Sequence, residues 1–341
     1  MNKNPVKLQY RTLDEYIPVD MEKLRPKGSY KQLMNSRTYS IDRLIKKFGK
    51  IPEKLLISRS CPTCDSEKFE NELEKDYMKI VKCDDCKLIY TNPIFDENNY
   101  RQIYQSDEYQ ELTKIYDNES HEYRVERFGS ERVNILEKYV QKPMGSKKIK
   151  YLDVGCSTGF VVEAAQSRGW EAIGIDLNPE TIQFGCTRGL NLLNKSLDEL
   201  TFEENSFDII SMFDVLEHLP NPKTILEQAV KYTKSGGLIF LYLPNWDSAS
   251  RILMGKNAHF IWPTHHLNYY NIDTISDLIE RVGLQVEYFG TEGLDIMDYI
   301  WREKEINKDN VEAIENIADE LQFFINAGGY GKNMRILARK S

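Results

Sequence analysis

Cys61-Pro-Thr-Cys64 and Cys83-Asp-Asp-Cys86 are two Cys-x-x-Cys pairs separated by eighteen residues. Each pair can turn two thiolates toward one point, and together they complete a tetrahedral four-cysteine set with no open position, the arrangement of a structural zinc ribbon. Two disulfides or four unrelated buried thiols are the alternatives. A reducing compartment disfavours the first and the spacing disfavours the second. A closed site of this kind cannot activate water, so its expected role is to hold together a segment too small to fold on apolar burial alone.

A second set surrounds Tyr151-Leu-Asp-Val-Gly-Cys-Ser-Thr-Gly-Phe160. Ile149, Tyr151, Leu152 and Val154 have the character of a buried parallel strand, and Gly155 and Gly159 bracket a turn before a helical stretch over 160–168. Glycines there let backbone approach a ligand, and the first amides of the following helix offer it unpaired N–H groups. The turn does not fit the Gly-x-Gly-x-x-Gly of dinucleotide sites, because Ser157 and Phe160 occupy the second and third glycine positions. There is no Walker Lys-Ser/Thr either. Asp176, at the end of the next strand, can accept both hydroxyls of a ribose, and Asp153 favours a cationic group. A ligand with a ribose, no phosphate and a positive charge is S-adenosylmethionine.

The third set is histidine. Of the five, His121, His218, His259, His265 and His266, three fall in Asn257-Ala-His-Phe-Ile-Trp-Pro-Thr-His-His266-Leu-Asn-Tyr-Tyr270. A strand-end loop of histidines and aromatics is where an acceptor should meet the cofactor, and a base is needed if the acceptor is a hydroxyl or a C–H beside a carbonyl. The competing readings are structural: one of the paired histidines caps a helix beginning near Asp273, and Glu217-His218 caps one beginning near Asn221.

These residues need a scaffold. Strands are expected at 149–154, 171–175, weakly at 190–193, then at 207–213, 238–243, 284–289 and 334–338, with helical patterns between them and over 309–325. Alternation of this kind implies an α/β, doubly wound, Rossmann-like sheet. The expected organisation is a basic extension over 1–55, a zinc ribbon over 56–95, a tyrosine-rich helical linker over 96–145 and the α/β domain over 146–341. In the extension, Ser40 can cap a helix whose face is Ile41, Leu44, Ile45 and Phe48, with Gly49 ending it. In the ribbon, short strands are expected at 79–81 and 88–90, with a polar stretch over 68–78. In the linker, Tyr100, Tyr104, Tyr109, Tyr116 and Tyr123 read first as packing residues, and Pro143, Gly145 and Ser146 mark its end.

The 341 residues carry a net charge of −8, but residues 1–60 hold fourteen Lys/Arg against six Asp/Glu, so that arm is +8 and the remainder −16. The basic arm either lies on the acidic body or offers an edge to a phosphorylated substrate. An acidic body argues against nucleic acid as partner. No run is long and apolar enough to span a bilayer, so the expectation is a soluble, cytoplasmic chain without membrane association; oligomeric state is not readable.

The motif around Asp153, Gly155 and Gly159, then Gly169-Trp-Glu-Ala-Ile-Gly-Ile-Asp176-Leu-Asn-Pro179, then Phe207-Asp-Ile-Ile-Ser-Met-Phe-Asp214-Val-Leu-Glu217-His218-Leu-Pro-Asn-Pro222, closely resembles class I S-adenosylmethionine-dependent methyltransferases. That resemblance implies a seven-stranded sheet with its last strand antiparallel. It implies that Gly155, Cys156, Ser157 and Gly159 cradle the methionine end, that Asp176 and Leu177 meet the ribose, that Ser196 and Leu197 flank the adenine, and that Phe213 and Asp214 face the cofactor. Many members carry glycine where Ser157 stands. The zinc-bearing N-terminal module and the His-Leu-x-Tyr-aromatic stretch are similar to bacterial sugar methyltransferases, including deoxysugar C-methyltransferases, whose substrates are nucleotide-linked keto sugars. In them the histidine matching His266 is a base preceded by an acidic residue. Here His265 stands at that acidic position and the long extra domain of those enzymes is lacking, which leaves O- or N-methylation of a small-molecule acceptor as open as C-methylation. His266, with His265 and His218, is the catalytic expectation. An RNA methyltransferase that begins with a zinc ribbon, and a catalytically silent cofactor-binding protein, are the alternatives.

Overall fold

The computed structural model describes residues 12–25, 39–96, 100, 120–140 and 148–341. Tyr104, Tyr109 and Tyr116, the boundary at Pro143, Gly145 and Ser146, and residues 1–11 and 26–38 of the basic extension lie outside them. Thirteen strands are present among the described residues: β1 Leu56–Ile57, β2 Phe69–Lys75, β3 Met78–Cys83, β4 Ile89–Thr91, β5 Ile94–Phe95, β6 Lys150–Val154, β7 Glu171–Asp176, β8 Leu192–Asn194, β9 Phe207–Phe213, β10 Thr233–Pro244, β11 Asn268–Tyr269, β12 Leu284–Glu292 and β13 Asn333–Lys340.

Seven of them form one sheet in the order β12-β13-β10-β9-β6-β7-β8. The strands from β6 to β10 run parallel to their neighbours, while β13 inserts antiparallel between β10 and β12. This is the Rossmann-like methyltransferase arrangement, with its last strand reversed. Strand order turns back at β6, so the crevice at the carboxyl ends of β6, β7 and β9 is the topological switch point where such sheets bind ligands. β6 is buried from Tyr151 to Val154 because helices cover both faces. Tyr151, Val161, Val162 and Val133 pack on one side, and Leu152, Leu226, Ile275 and Leu278 on the other.

The first helix of the domain follows Gly159, whose φ of 79° only glycine adopts cheaply, and a Cβ there would meet Leu190 and Leu192 at 2.9 Å. Asn178 caps the helix Pro179–Thr187 by accepting from Glu180 and Thr181. Asn271 and Thr274 form a reciprocal cap on Ile272–Arg281, so neither paired histidine caps that helix. The pattern over 309–325 is two helices, Glu312–Glu315 and Ala318–Ala327. Ile317 leaves the helical region at φ −128°, and the break lets Ile314, Ala318, Leu321 and Ile325 wrap a small cluster around Ile296, Ile300 and Val311.

The N-terminal module differs from expectation in three ways. The stretch over 68–78 contains β2, paired antiparallel with β3. Its polar sequence hides it because it is an exposed edge strand, and the turn into β3 uses Asp76 and Tyr77 at φ 49° and 60° without a glycine to announce it. Phe48 does not share the buried face of the helix Tyr39–Phe48; Ile41 does, while Phe48 is 48% exposed. That helix begins before Ser40, which therefore lies within its first turn, and Gly49 ends it at φ 74°.

The third difference concerns the small sheet itself, whose order is β11-β4-β3-β2. Its fourth strand comes from the histidine stretch far along the chain, with Asn268 opposite Tyr90 and Tyr269 opposite Ile89. Cys61, Val81, Cys83, Leu88 and Tyr90 are buried in the same cluster as Leu152, Ile210 and Leu241 of the large sheet. Module and domain therefore share one core.

Candidate active site at the strand carboxyl ends

The turn after β6 is built to leave backbone exposed to a ligand. Gly155 has φ 74°, and a Cβ on it would strike Val215 at 2.4 Å. Ser157 takes the left-handed conformation at φ 49°, a cost for a residue with a side chain. Its N–H donates to Asp176 Oδ2 at 2.8 Å, while Oδ1 accepts from Asn178 N at 2.8 Å. The two bonds hold the Asp176 carboxylate in one orientation at the end of β7. Leu177, beside it, is 70% exposed, an apolar surface with nothing of its own to cover.

Other expected residues sit differently. The Cys156 side chain is buried against Gly174, where a Cβ would meet its Sγ at 2.7 Å, so it packs turn to sheet rather than lining the crevice. The Leu197 side chain is buried in the core with Phe207 and Leu226 and so does not line the crevice. Ser196 donates from both N and Oγ to Glu199, at 2.8 and 2.9 Å.

Asp153 is fully buried and accepts from Ser211 Oγ at 2.5 Å, with the Tyr151 hydroxyl next in the chain. Burial pushes its carboxyl up to about 7, against the pull of Ser211 and Arg132. The cation that sequence reasoning placed near Asp153 is thus in part the chain's own. Arg132, on the helix Ser130–Tyr139, lies over the rings of Phe213 at 4.1 Å, Tyr242 at 4.8 Å and Phe160 at 5.3 Å. It makes no hydrogen bond or ion pair among the described residues; burial lowers its pKa from the usual guanidinium range, and the fields of Tyr242, Asp214 and Asp153 oppose that. Asp214 follows β9 at φ 56° with its N–H on Tyr242 O at 2.7 Å, and burial raises its carboxyl. Sequence reasoning missed Arg132, which no motif marks.

Of the three histidines in the 257–270 stretch, His266 brings its ring to the loop after β9. Glu217 and His218 occupy a 3-10 turn, and the next helix, Pro222–Tyr232, starts without a side-chain cap, so Glu217-His218 is not a capping pair. His218 Nδ1–H donates to His265 O at 3.0 Å, which fixes the tautomer and leaves the electron pair on Nε2, 3.8 Å from Glu217 Oε1. The His218 and His266 rings meet edge to face at 4.7 Å. One donor atom each of Glu217, His218 and His266 lie within 4.8 Å of one another, a spacing suited to sharing a proton or a cation. Neither oxygen of the buried Glu217 carboxylate has a hydrogen-bond partner among the described residues, and burial raises that carboxyl well above its usual range. Burial drives His218 the other way, down to about 4. Two groups pushed apart so far are an acid and a base at neutral pH. His265 instead stacks on Trp262 at 3.8 Å and bonds Thr264 Oγ1 at 2.8 Å. His259 leaves the cluster for Asp298, 3.5 Å away, where Arg25 and Lys332 also pair. His121 is buried under the turn, on Thr158 and Glu163.

The four cysteine sulfurs also lie within 4.8 Å of one another, with Cys61–Cys86 at 3.4 Å and Cys64–Cys83 at 3.6 Å. Hydrogen bonding between Cys61 and Cys86 pulls the Cys61 thiol down and pushes Cys86 up, so the two sulfurs share a proton in the absence of a cation. Four converging thiols without an open side fit a structural zinc.

Residues 121–288 match the family model of a methyltransferase domain. With the seven-stranded sheet, the glycine turn and Asp176, this part of the chain is a class I, S-adenosylmethionine-dependent methyltransferase domain. Among curated relatives, a ubiquinone biosynthesis O-methyltransferase of Xanthomonas oryzae pv. oryzae is 30% identical over 36% of this chain and 54% of its own. A protein of the same description from Leptothrix cholodnii is 29% identical over 43% of this chain and 65% of its own. The chain thus spans between half and two thirds of these relatives. Among solved structures, a SAM-dependent methyltransferase from Archaeoglobus fulgidus matches 68% of this chain and 100% of its own at 22% identity and a TM-score of 0.45. Among the described residues no helix is long and apolar enough to cross a membrane.

Proposed function

We propose that the chain transfers the methyl group of S-adenosylmethionine to a small-molecule acceptor, first of all a hydroxyl of a sugar or nucleotide-linked sugar. One observation carries the reading: a fixed acceptor carboxylate, Asp176, ends β7, and His218, whose ring meets that of His266, follows β9, so both stand at the carboxyl-end side of one sheet with only β6 between their strands. When bound, the sulfonium supplies an activated methyl carbon, and displacement at that carbon is in line. The chain has to hold, orient and exclude water. Asp176 and exposed Leu177 would hold the ribose and adenine side, the 155–159 turn the methionyl end, and Arg132 its carboxylate. Phe213 and Asp214 would line the floor. His266 would take the acceptor's proton, with His218 and Glu217 behind it.

The names of the curated relatives favour an oxygen acceptor and make a phenol of a quinone precursor the second reading. The four cysteines support a structural zinc in the N-terminal module, and the net charge of −8 weighs against a nucleic-acid acceptor. Mass spectrometry of metabolites incubated with the protein and methyl-labelled cofactor tests the proposal. Label in a glycosyl compound supports it, label in a phenol moves it to the second reading, and label in RNase-sensitive material overturns both.

A further inference from the structure

Arg59 stands two residues before Cys61, at the entrance to the four-cysteine module, yet three of its four side-chain bonds leave that module. Nε donates to Thr91 O at 3.2 Å, one terminal nitrogen to Pro220 O at 2.9 Å, and the other to Leu267 O at 2.7 Å and Asn268 Oδ1 at 3.1 Å. Its plane lies over the Tyr90 ring at 5.3 Å, and its own N–H donates to Asn92 Oδ1 at 3.0 Å. Thr91 belongs to the ribbon sheet, Pro220 ends the Glu217-His218 turn, and Leu267 follows His266. One planar fork therefore spans the module and both histidine loops.

The surrounding bonds close the same frame. Asn268 Nδ2 donates to Leu216 O at 2.9 Å and Leu219 O at 2.8 Å, bracketing Glu217 and His218. Leu267 N–H donates to Glu217 O at 2.6 Å, and Thr91 N–H to Leu267 O at 2.9 Å. The Thr91 hydroxyl donates to His266 O at 3.3 Å. Backbone flanking His218 is thus held by Asn268, Leu267 and Arg59, and backbone at and just after His266 by Thr91 and Arg59.

We propose that Arg59 is a positioning residue that transmits the geometry of the four-cysteine module to the His218–His266 pair. A lysine could keep the charge but not the fork, because an ammonium cannot hold carbonyls of three loops in one plane. The inference rests on the reading of those histidines as facing the acceptor, but its test does not need the acceptor. The module's metal is then more than a local staple: the ribbon it orders is one wall of the frame that sets the histidine geometry.

The experiment is NMR of the full, zinc-loaded chain with histidines labelled by nitrogen-15 and S-adenosylhomocysteine bound. In Arg59→Lys, the His218 and His266 imidazole signals are expected to move and exchange of the His218 Nδ1 proton to quicken by about tenfold, the scale of one hydrogen bond to a charged donor. His121 and His259 are expected to stay put, zinc to remain stoichiometric, and S-adenosylhomocysteine affinity to change by less than about twofold. Chelation of the zinc is expected to move the same two histidines first. Asn268→Asp, which keeps the oxygen facing Arg59 and loses the donors to Leu216 and Leu219, serves if Arg59 variants do not fold, and predicts the same pattern. Unmoved His218 and His266 signals, or equal movement of all five histidines, overturn the proposal. Absence of S-adenosylhomocysteine binding in the wild type would sink the cofactor reading separately, while the histidine signals still report on the frame.

Discussion

Ser157 and Asp176, nineteen positions apart, are joined by a hydrogen bond from the Ser157 amide to Oδ2 at 2.8 Å. It pins a turn in left-handed backbone to the carboxylate expected to meet the ribose, so two halves of the cofactor site move as one. Asp176→Ala removes both the acceptor and the pin. S-adenosylhomocysteine affinity, by calorimetry, is expected to fall about 30- to 100-fold, the scale of a charged hydrogen-bond pair, with the fold intact by circular dichroism.

Arg132 is expected to read the carboxylate at the methionyl end. Arg132→Met should weaken S-adenosylhomocysteine at least about tenfold and leave 5′-methylthioadenosine, which lacks that end, unchanged. Equal losses for both ligands would reduce Arg132 to a packing residue beneath Phe160 and Phe213.

For turnover, His266→Ala is expected to lower kcat by about 10²- to 10⁴-fold with cofactor affinity within about twofold of wild type. Once an acceptor is in hand, single-turnover rates decide this. His265→Ala, which removes a ring stacked on Trp262, should cost stability more than rate. A rate unchanged in the His266 variant removes it as base.

Stability should depend on pH through two groups with opposite signs. His218 is pushed down to about 4 from 6.5, so the unfolded chain binds the extra proton, and stability falls as pH drops from 6.5 toward 4. Glu217 is raised well above 4.5, so the native state keeps a proton the unfolded chain releases, and stability falls as pH climbs above 4.5. Glu217→Gln should therefore be more stable than wild type at pH 8 by about 1 kcal/mol or more, the gap closing near pH 4. Urea unfolding at the two pH values measures it.

Removing the zinc should destabilise more than the segment that binds it, because Cys61, Cys83 and Tyr90 lie in the same buried cluster as Leu152 and Leu241. Cys64→Ser is expected to lower the unfolding midpoint of the whole chain in one transition. Two separated transitions, one insensitive to metal, would contradict the shared core.

Much of the scaffold could be read because local signals agreed with it. Tyr151, Leu152 and Val154 put apolar side chains on both faces as a central strand must, Gly155 and Gly159 sit where positive φ is required, and Asp176 ends its strand. The four cysteines carry their geometry in their spacing. What escaped was set by partners distant in sequence. β2 is polar because its outer edge faces water. Arg132 and Arg59 belong to no motif, and only tertiary packing brings their guanidinium groups to the strand ends and the histidine loops. His259 and His265 share a stretch with His266, yet Asp298 and Trp262 draw them elsewhere, which no spacing rule reports.

The order of synthesis gives the small sheet an asymmetry. Its four clustered cysteines are complete once Cys86 has left the ribosome, but the strand that covers β4, Asn268–Tyr269, is made only after most of the large sheet. A growing chain therefore holds a hairpin gathered at four cysteines with one open edge until residues 268–269 emerge. Pairing of that edge becomes a late checkpoint, and a chain stopped short of Tyr269 should present it to chaperones or to other nascent copies.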